Sequence, residues 1–118
     1  MIYKDVDKLC TAINQGMQWI LEFQWKREYS LVEESIQDNL VMTFCQDINP
    51  LGERLLKVKF YGVEGVKCDE IFNIISDAMI QIEDMSSRGY EGICYYVHEI
   101  EDLFSFYCEE IEYWYEES

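Results

Sequence analysis

The sequence predicts a mainly β fold, an antiparallel sandwich or curled sheet with a short N-terminal helix, on three observations. Apolar residues alternate with period two in several short runs, of which Leu56-Lys57-Val58-Lys59-Phe60 is the cleanest. Turn-forming residues separate these runs, at Asn49-Pro50-Leu51-Gly52, at Gly62 to Gly65 and at Ser86-Ser87-Arg88-Gly89. A helical period is clearest near the N-terminus. With 118 residues, 49% of them apolar, the chain reads as a single domain, 1–118, with enough apolar material for a real core. An α+β description applies instead if segments 17–38 and 69–77 are helical.

Residues 4–16 form the expected helix. Val6, Leu9, Ile13 and Met17 fall on one face, Asp5 and Asp7 sit in the first turn where the helix dipole favours acids, and Gly16 is a natural stop. From Trp19 the period changes to two, with Trp19, Leu21, Phe23 and Trp25 alternating against Ile20, Glu22, Gln24 and Lys26. A strand is favoured there, with a continued helix as the alternative. Residues 27–38 fit an edge strand or a helical turn. A strand begins near Leu40, a turn follows at 48–52 around the one proline, Pro50, and the strand 55–62 returns, so 40–61 is an expected antiparallel hairpin. Leu56, Val58 and Phe60 should face the core, and Lys57 and Lys59 water. A bend at 62–65, a short strand at 66–68, a possible helical turn at 69–77, a strand at 78–84 and a polar loop at 85–89 lead into the last thirty residues. These read as a terminal hairpin.

The net charge is −15, from 24 acidic and nine basic residues. Phosphate binding needs clustered Lys and Arg, so nucleic acid is the wrong partner, and an anionic membrane surface is disfavoured for the same reason. The partner that fits is a basic protein surface. The N-terminal residues lack the apolar run of a secretory signal, and no run approaches the roughly 18 apolar residues of a membrane span, so the expected location is the cytoplasm. Five cysteines, with no C-x-x-C pair, are expected to be reduced and mostly buried thiols.

Enzyme chemistry finds little support. His98 is the lone histidine; a zinc site would need it to meet cysteines or carboxylates from distant segments, and a partly buried strand histidine is the simpler reading. No calcium-loop spacing, nucleophile elbow, P-loop or dinucleotide fingerprint is present. Glu110 and Glu112 would lie about 7 Å apart on one strand face by strand rise, but with no pocket signal they read as a solvated face rather than a catalytic pair. No catalytic residue, metal or cofactor is expected.

What remains is an acidic stretch with aromatic rings set into it. Between Gly89 and Ser118 there are nine acidic residues and no lysine or arginine. Aromatic side chains supply contact area at low entropic cost, and acids supply steering and partner choice. Glu99, Glu101, Asp102, Glu109, Glu110, Glu112 and Glu116 are the candidate charge partners, with Tyr113 and Trp114 as candidate anchors, although some of these rings must also complete the core.

The segment Ile82 to Tyr113 resembles small bacterial immunity proteins that accompany polymorphic toxins, including those of contact-dependent growth inhibition. The similar features are Ile82-Glu83-Asp84-Met85-Ser86, the Arg88 to Gly92 loop, the tyrosine-bearing strand after it, the carboxylate-rich turn and Phe104 to Glu112, together with the upstream strand Leu56 to Val63. The resemblance is one of pattern over about half the chain. It implies a cytoplasmic protein that binds one cognate toxin, usually a basic nuclease, and neutralises it by stoichiometric complex formation. Rival readings are an acidic nucleic-acid mimic that inhibits a DNA- or RNA-binding protein, a small metal-binding protein or enzyme using His98, and a subunit of a larger assembly.

Overall fold

The computed structural model describes residues 1–17, 19–46, 54–68, 79–89 and 93–117. Among these residues are one α-helix, α1 (Val6–Gln15), and eight strands: β1 (Trp19–Ser30), β2 (Ser35–Cys45), β3 (Arg54–Tyr61), β4 (Glu64–Cys68), β5 (Ile80–Asp84), β6 (Tyr95–Glu99), β7 (Phe104–Cys108) and β8 (Glu110–Glu117). They form two antiparallel four-stranded sheets, ordered β1-β2-β3-β8 and β4-β7-β6-β5. The mainly β expectation holds. The turn expected at 48–52 and the possible helix at 69–77 lie outside the described residues.

The sheets face each other across an apolar core. Leu56, Val58 and Phe60 of β3 are fully buried, as their alternation requires, alongside Leu40, Met42 and Phe44 of β2 and Phe104 and Phe106 of β7. Phe60 meets Phe106 edge-on at 4.9 Å between ring centroids and joins the two layers. Helix α1 buries Leu9 and Ile13 in the same core. Its N-cap is Asp5, whose side chain accepts from the Lys8 N–H; its C-cap is Gly16 with an extended φ of −178°, so the stop does not use glycine's left-handed conformation.

The N-terminal segment closes one side of the sandwich. The side-chain amide of Asn14 donates to the Ile80 carbonyl at 3.0 Å and accepts from the Ile80 N–H at 3.1 Å, mimicking a neighbouring strand on β5. Tyr3 exchanges backbone hydrogen bonds of 2.8 and 2.9 Å with Tyr113 on β8. Both shield edge strands, which otherwise present unpaired backbone groups. Among the described residues, no strand pairs with the outer edge of β1.

Of the two alternatives for residues 27–38, the strand holds: β1, at the edge of its sheet, runs on to Ser30, residues 31–34 turn, and β2 starts at Ser35, in register Tyr29↔Ile36 and Arg27↔Asp38. One segment differs from expectation. The terminal stretch is not one hairpin. β6 and β7 pair in the second sheet, and after Glu109 the chain crosses to the first sheet, where β8 pairs with β3. The Glu109 N–H donates to the Tyr61 carbonyl at 2.8 Å and fixes that crossing.

Candidate functional site

The outer face of the first sheet is built from charges laid across β2. Lys59 of β3 reaches over to Glu28 of β1 at 2.8 Å, and Lys57 approaches Glu22 at 4.0 Å. The lysines expected to face water are thus largely covered, with side chains 17% and 20% exposed respectively. Their stems help to bury Val41 and Thr43 beneath them, which explains why β2 is buried on both faces. Asn39, also buried, donates to Glu28 at 2.8 Å and accepts from the Gly62 N–H at 3.0 Å, so both ends of its amide are used.

At one end of this face lies a cleft of about 300 Å³ between the β1–β2 hairpin and the β7–β8 corner. Carboxylates dominate its lining: Glu28 and Glu33 from the hairpin side, Glu109, Glu110 and Glu112 from the other, with Lys59 as the one cation among the described residues. Lys59 is already committed to Glu28. A second recess of about 330 Å³, lined by Met1, Ile2 and Trp114, shares Lys59, Tyr61 and Glu112 with the cleft.

The electrostatics differ from one carboxylate to the next. A hydrogen bond from Lys59, then one from Asn39, hold the Glu28 carboxyl below its ordinary range. Glu109 is pushed the other way, first by burial and then by repulsion from Glu33 and Glu64, against which the hydrogen bond from Gln37 works. Burial, followed by its hydrogen bond to Glu112, raises the Tyr61 phenol. Glu109 is therefore a carboxylate short of positive charge, and a lysine or arginine entering the cleft would supply it. Gly62 is part of this geometry: its φ is +64°, and a Cβ there would fall 2.8 Å from the Glu109 side chain.

Of the residues singled out in the sequence, the structure brings Glu109, Glu110 and Glu112 together at the cleft. Glu110 also pairs with the exposed Lys4 at 2.9 Å. Trp114 sits in the adjoining recess and donates its indole N–H to Glu116 at 2.7 Å. Glu101 and Asp102 are exposed, but in the turn at the other end of β7, and Glu116 lies toward the far end of β8. Two expected contact residues are interior instead. Glu99 is 2% exposed, and its carboxylate accepts from the N–H groups of Glu101 at 2.7 Å and Leu103 at 3.3 Å, so it braces the β6–β7 turn. Tyr113 is 4% exposed, stacks on Tyr3 and donates its hydroxyl to the Asp5 carbonyl at 2.9 Å. Their alternation along β6 and β8 put them on core-facing positions.

Sequence reading missed Glu28, Glu33, Gln37 and Tyr61, which come from strands distant in sequence. Little local signal was available: residues 31–34 turn between β1 and β2 but pair the apolar Leu31 and Val32 with Glu33 and Glu34. His98 lies on the outer face of the second sheet, stacked on Tyr96 at 5.0 Å and 3.7 Å from Glu83. Among the described residues no group of three or more His, Cys, Asp or Glu side chains is placed to hold a metal ion. None of the five cysteines is joined in a disulfide; Cys45 and Cys108 are buried, whereas Cys68 is exposed.

No curated protein and no solved structure matches the chain. The model of one protein family does, that of the immunity protein PIM8, over residues 1–113. That span includes α1, β1 to β7, the first half of β8 and every described residue that lines the acidic cleft, and the chain belongs to this family of toxin-neutralising immunity proteins.

Proposed function

We propose that this chain works in the cytoplasm by binding a basic toxin domain of the nuclease class in a one-to-one complex, with the acidic cleft receiving lysine or arginine side chains of the toxin. The observation that carries this reading is the crowding at Glu109. Among the described residues, five carboxylates line the cleft against one lysine that is already paired. Such an arrangement costs the free protein electrostatic energy and is relieved by a cationic partner. Nuclease domains present basic surfaces to phosphate, so the net charge of −15 supports this class of toxin. Glu101, Asp102 and Glu116 lie outside the cleft and act as steering charges, with Trp114 as a contact beside Glu112. Long-range attraction of this kind raises association rates to about 10⁸–10⁹ M⁻¹s⁻¹ at low salt.

The test is stopped-flow association of the purified protein with the toxin domain encoded beside its gene. The association rate should fall steeply with salt, and the pair E110Q/E112Q should slow association roughly tenfold at low salt, within the range such steering spans. Absence of a complex, or an association rate indifferent to salt, overturns the proposal.

A further inference from the structure

The β1–β2 hairpin is longer than the sandwich it belongs to. β1 has 12 residues and β2 has 11, whereas each strand of the second sheet has five. At about 3.3 Å per residue the hairpin extends some 40 Å against about 17 Å for the opposing strands. The molecule measures 42 Å along its longest axis. The core-facing side of β1 therefore runs out beyond its cover. Phe23 is still half-buried and edge-on to Phe104, but Trp25 is 46% exposed and Tyr29 62%. Ile36, opposite Tyr29 in the register, is 68% exposed, and Leu31 and Val32 at the tip are 86% and 91% exposed.

This projecting surface is held in shape. The Asp38 carboxylate accepts from the Trp25 indole at 3.1 Å and from the Arg27 guanidinium at 2.8 Å, and the Ser30 hydroxyl accepts from the Glu33 N–H at 3.1 Å in the turn. Rigid Trp and Tyr side chains on a preorganised element are the kind that dominate binding energy. Two of the apolar residues, Tyr29 and Val32, also line the acidic cleft beside Glu28 and Glu33. A partner seated on the acids thus meets the hairpin as well. A second copy of this chain would bring another −15 charge to the same place.

We infer that the projecting β1–β2 hairpin is the apolar foothold of the interface, receiving an apolar ridge on the basic toxin domain while the cleft receives its cations. This rests on the proposed function and adds a division of labour: acids set the rate of encounter, and Trp25, Tyr29 and Ile36 set the lifetime of the complex.

The decisive measurement is the dissociation rate from the same toxin domain for the variant Y29A/I36A, set beside E110Q/E112Q. Both hairpin side chains are exposed, so the melting temperature of the free variant should match the parent. The dissociation rate is expected to rise at least tenfold, with the association rate and its salt dependence unchanged. A dissociation rate within twofold of the parent, while E110Q/E112Q still slows association, overturns the foothold and leaves the proposed function standing. If the parent protein forms no complex, both fall. Sedimentation of the free protein as a dimer that Y29A/I36A dissociates would assign the hairpin to self-association and overturn the inference.

Discussion

The side-chain amide of Gln37 donates a 2.9 Å hydrogen bond to the carboxylate of Glu109, tying the hairpin wall of the acidic cleft to the corner where the chain changes sheets. Burial and the neighbouring Glu33 and Glu64 raise this carboxyl despite that bond. A carboxyl with a folded pKa above its unfolded value stabilises the fold at low pH, and the contribution is lost as pH rises through the folded value. E109Q keeps an acceptor for Gln37 but removes the repulsion. It should therefore melt at a higher temperature than the parent at pH 7, with the gap closing near pH 4, where a free Glu also becomes protonated at about 4.3. The toxin complex should show the opposite trend. A cation beside Glu109 lowers its pKa, so affinity should rise with pH through its titration and flatten in E109Q. Calorimetry in buffers of different ionisation enthalpy checks this; equal proton release by parent and variant would refute it.

The Glu99 carboxylate serves two backbone N–H groups in a turn where Asp102 holds φ at +61°. Truncation would strand both donors. E99A is expected to lose about 2–3 kcal/mol by urea denaturation, and E99Q, which retains an acceptor, about 1 kcal/mol. Toxin affinity of the folded fraction should stay at the parent level, because this side chain does not reach the surface. A loss of affinity without a loss of stability would return Glu99 to the contact set.

Thr43 presents the reverse case. Its hydroxyl is buried beneath the Lys57–Glu22 and Lys59–Glu28 bridges and has no hydrogen-bond partner among the described residues. T43V replaces an unsatisfied polar atom with a methyl group of similar size and should stabilise the protein by about 1 kcal/mol. Equilibrium denaturation decides the matter, and a destabilised variant would mean that the hydroxyl is bonded in solution.

The legible parts of the fold were those with one dry face and one wet one. The alternation at Leu56, Val58 and Phe60 and the stripe Val6, Leu9, Ile13 gave β3 and α1 directly. β2 was legible only from Leu40 onward, because its earlier half lies in the overhang, where apolar Ile36 is largely exposed. Residues 27–38 were ambiguous for the same reason: a hairpin that leaves its sandwich has two exposed faces and no clean pattern. The crossing at Glu109 was hidden because neither glycine nor proline marks it. Within the site, Glu109, Glu110 and Glu112 are sequence neighbours and were found together, while Glu28 and Glu33 arrive through strand pairing that no local pattern reports.

The pairing of the N-terminal segment with β8 also bears on when protection begins. Tyr113 donates to the Asp5 carbonyl across 108 positions of sequence, and β8 supplies Ile111 and Tyr113 to the core. Until β8 has cleared the ribosome, β3 has an open edge and Tyr3 has no strand to meet. The first sheet is thus completed only after translation has passed Tyr113, and its non-local contacts form slowly, in roughly milliseconds to seconds for sandwiches of this kind. A cell meeting the toxin is guarded by the pool of chains already folded, not by those still being made, and a message cut short before Ile111 would yield no working guard.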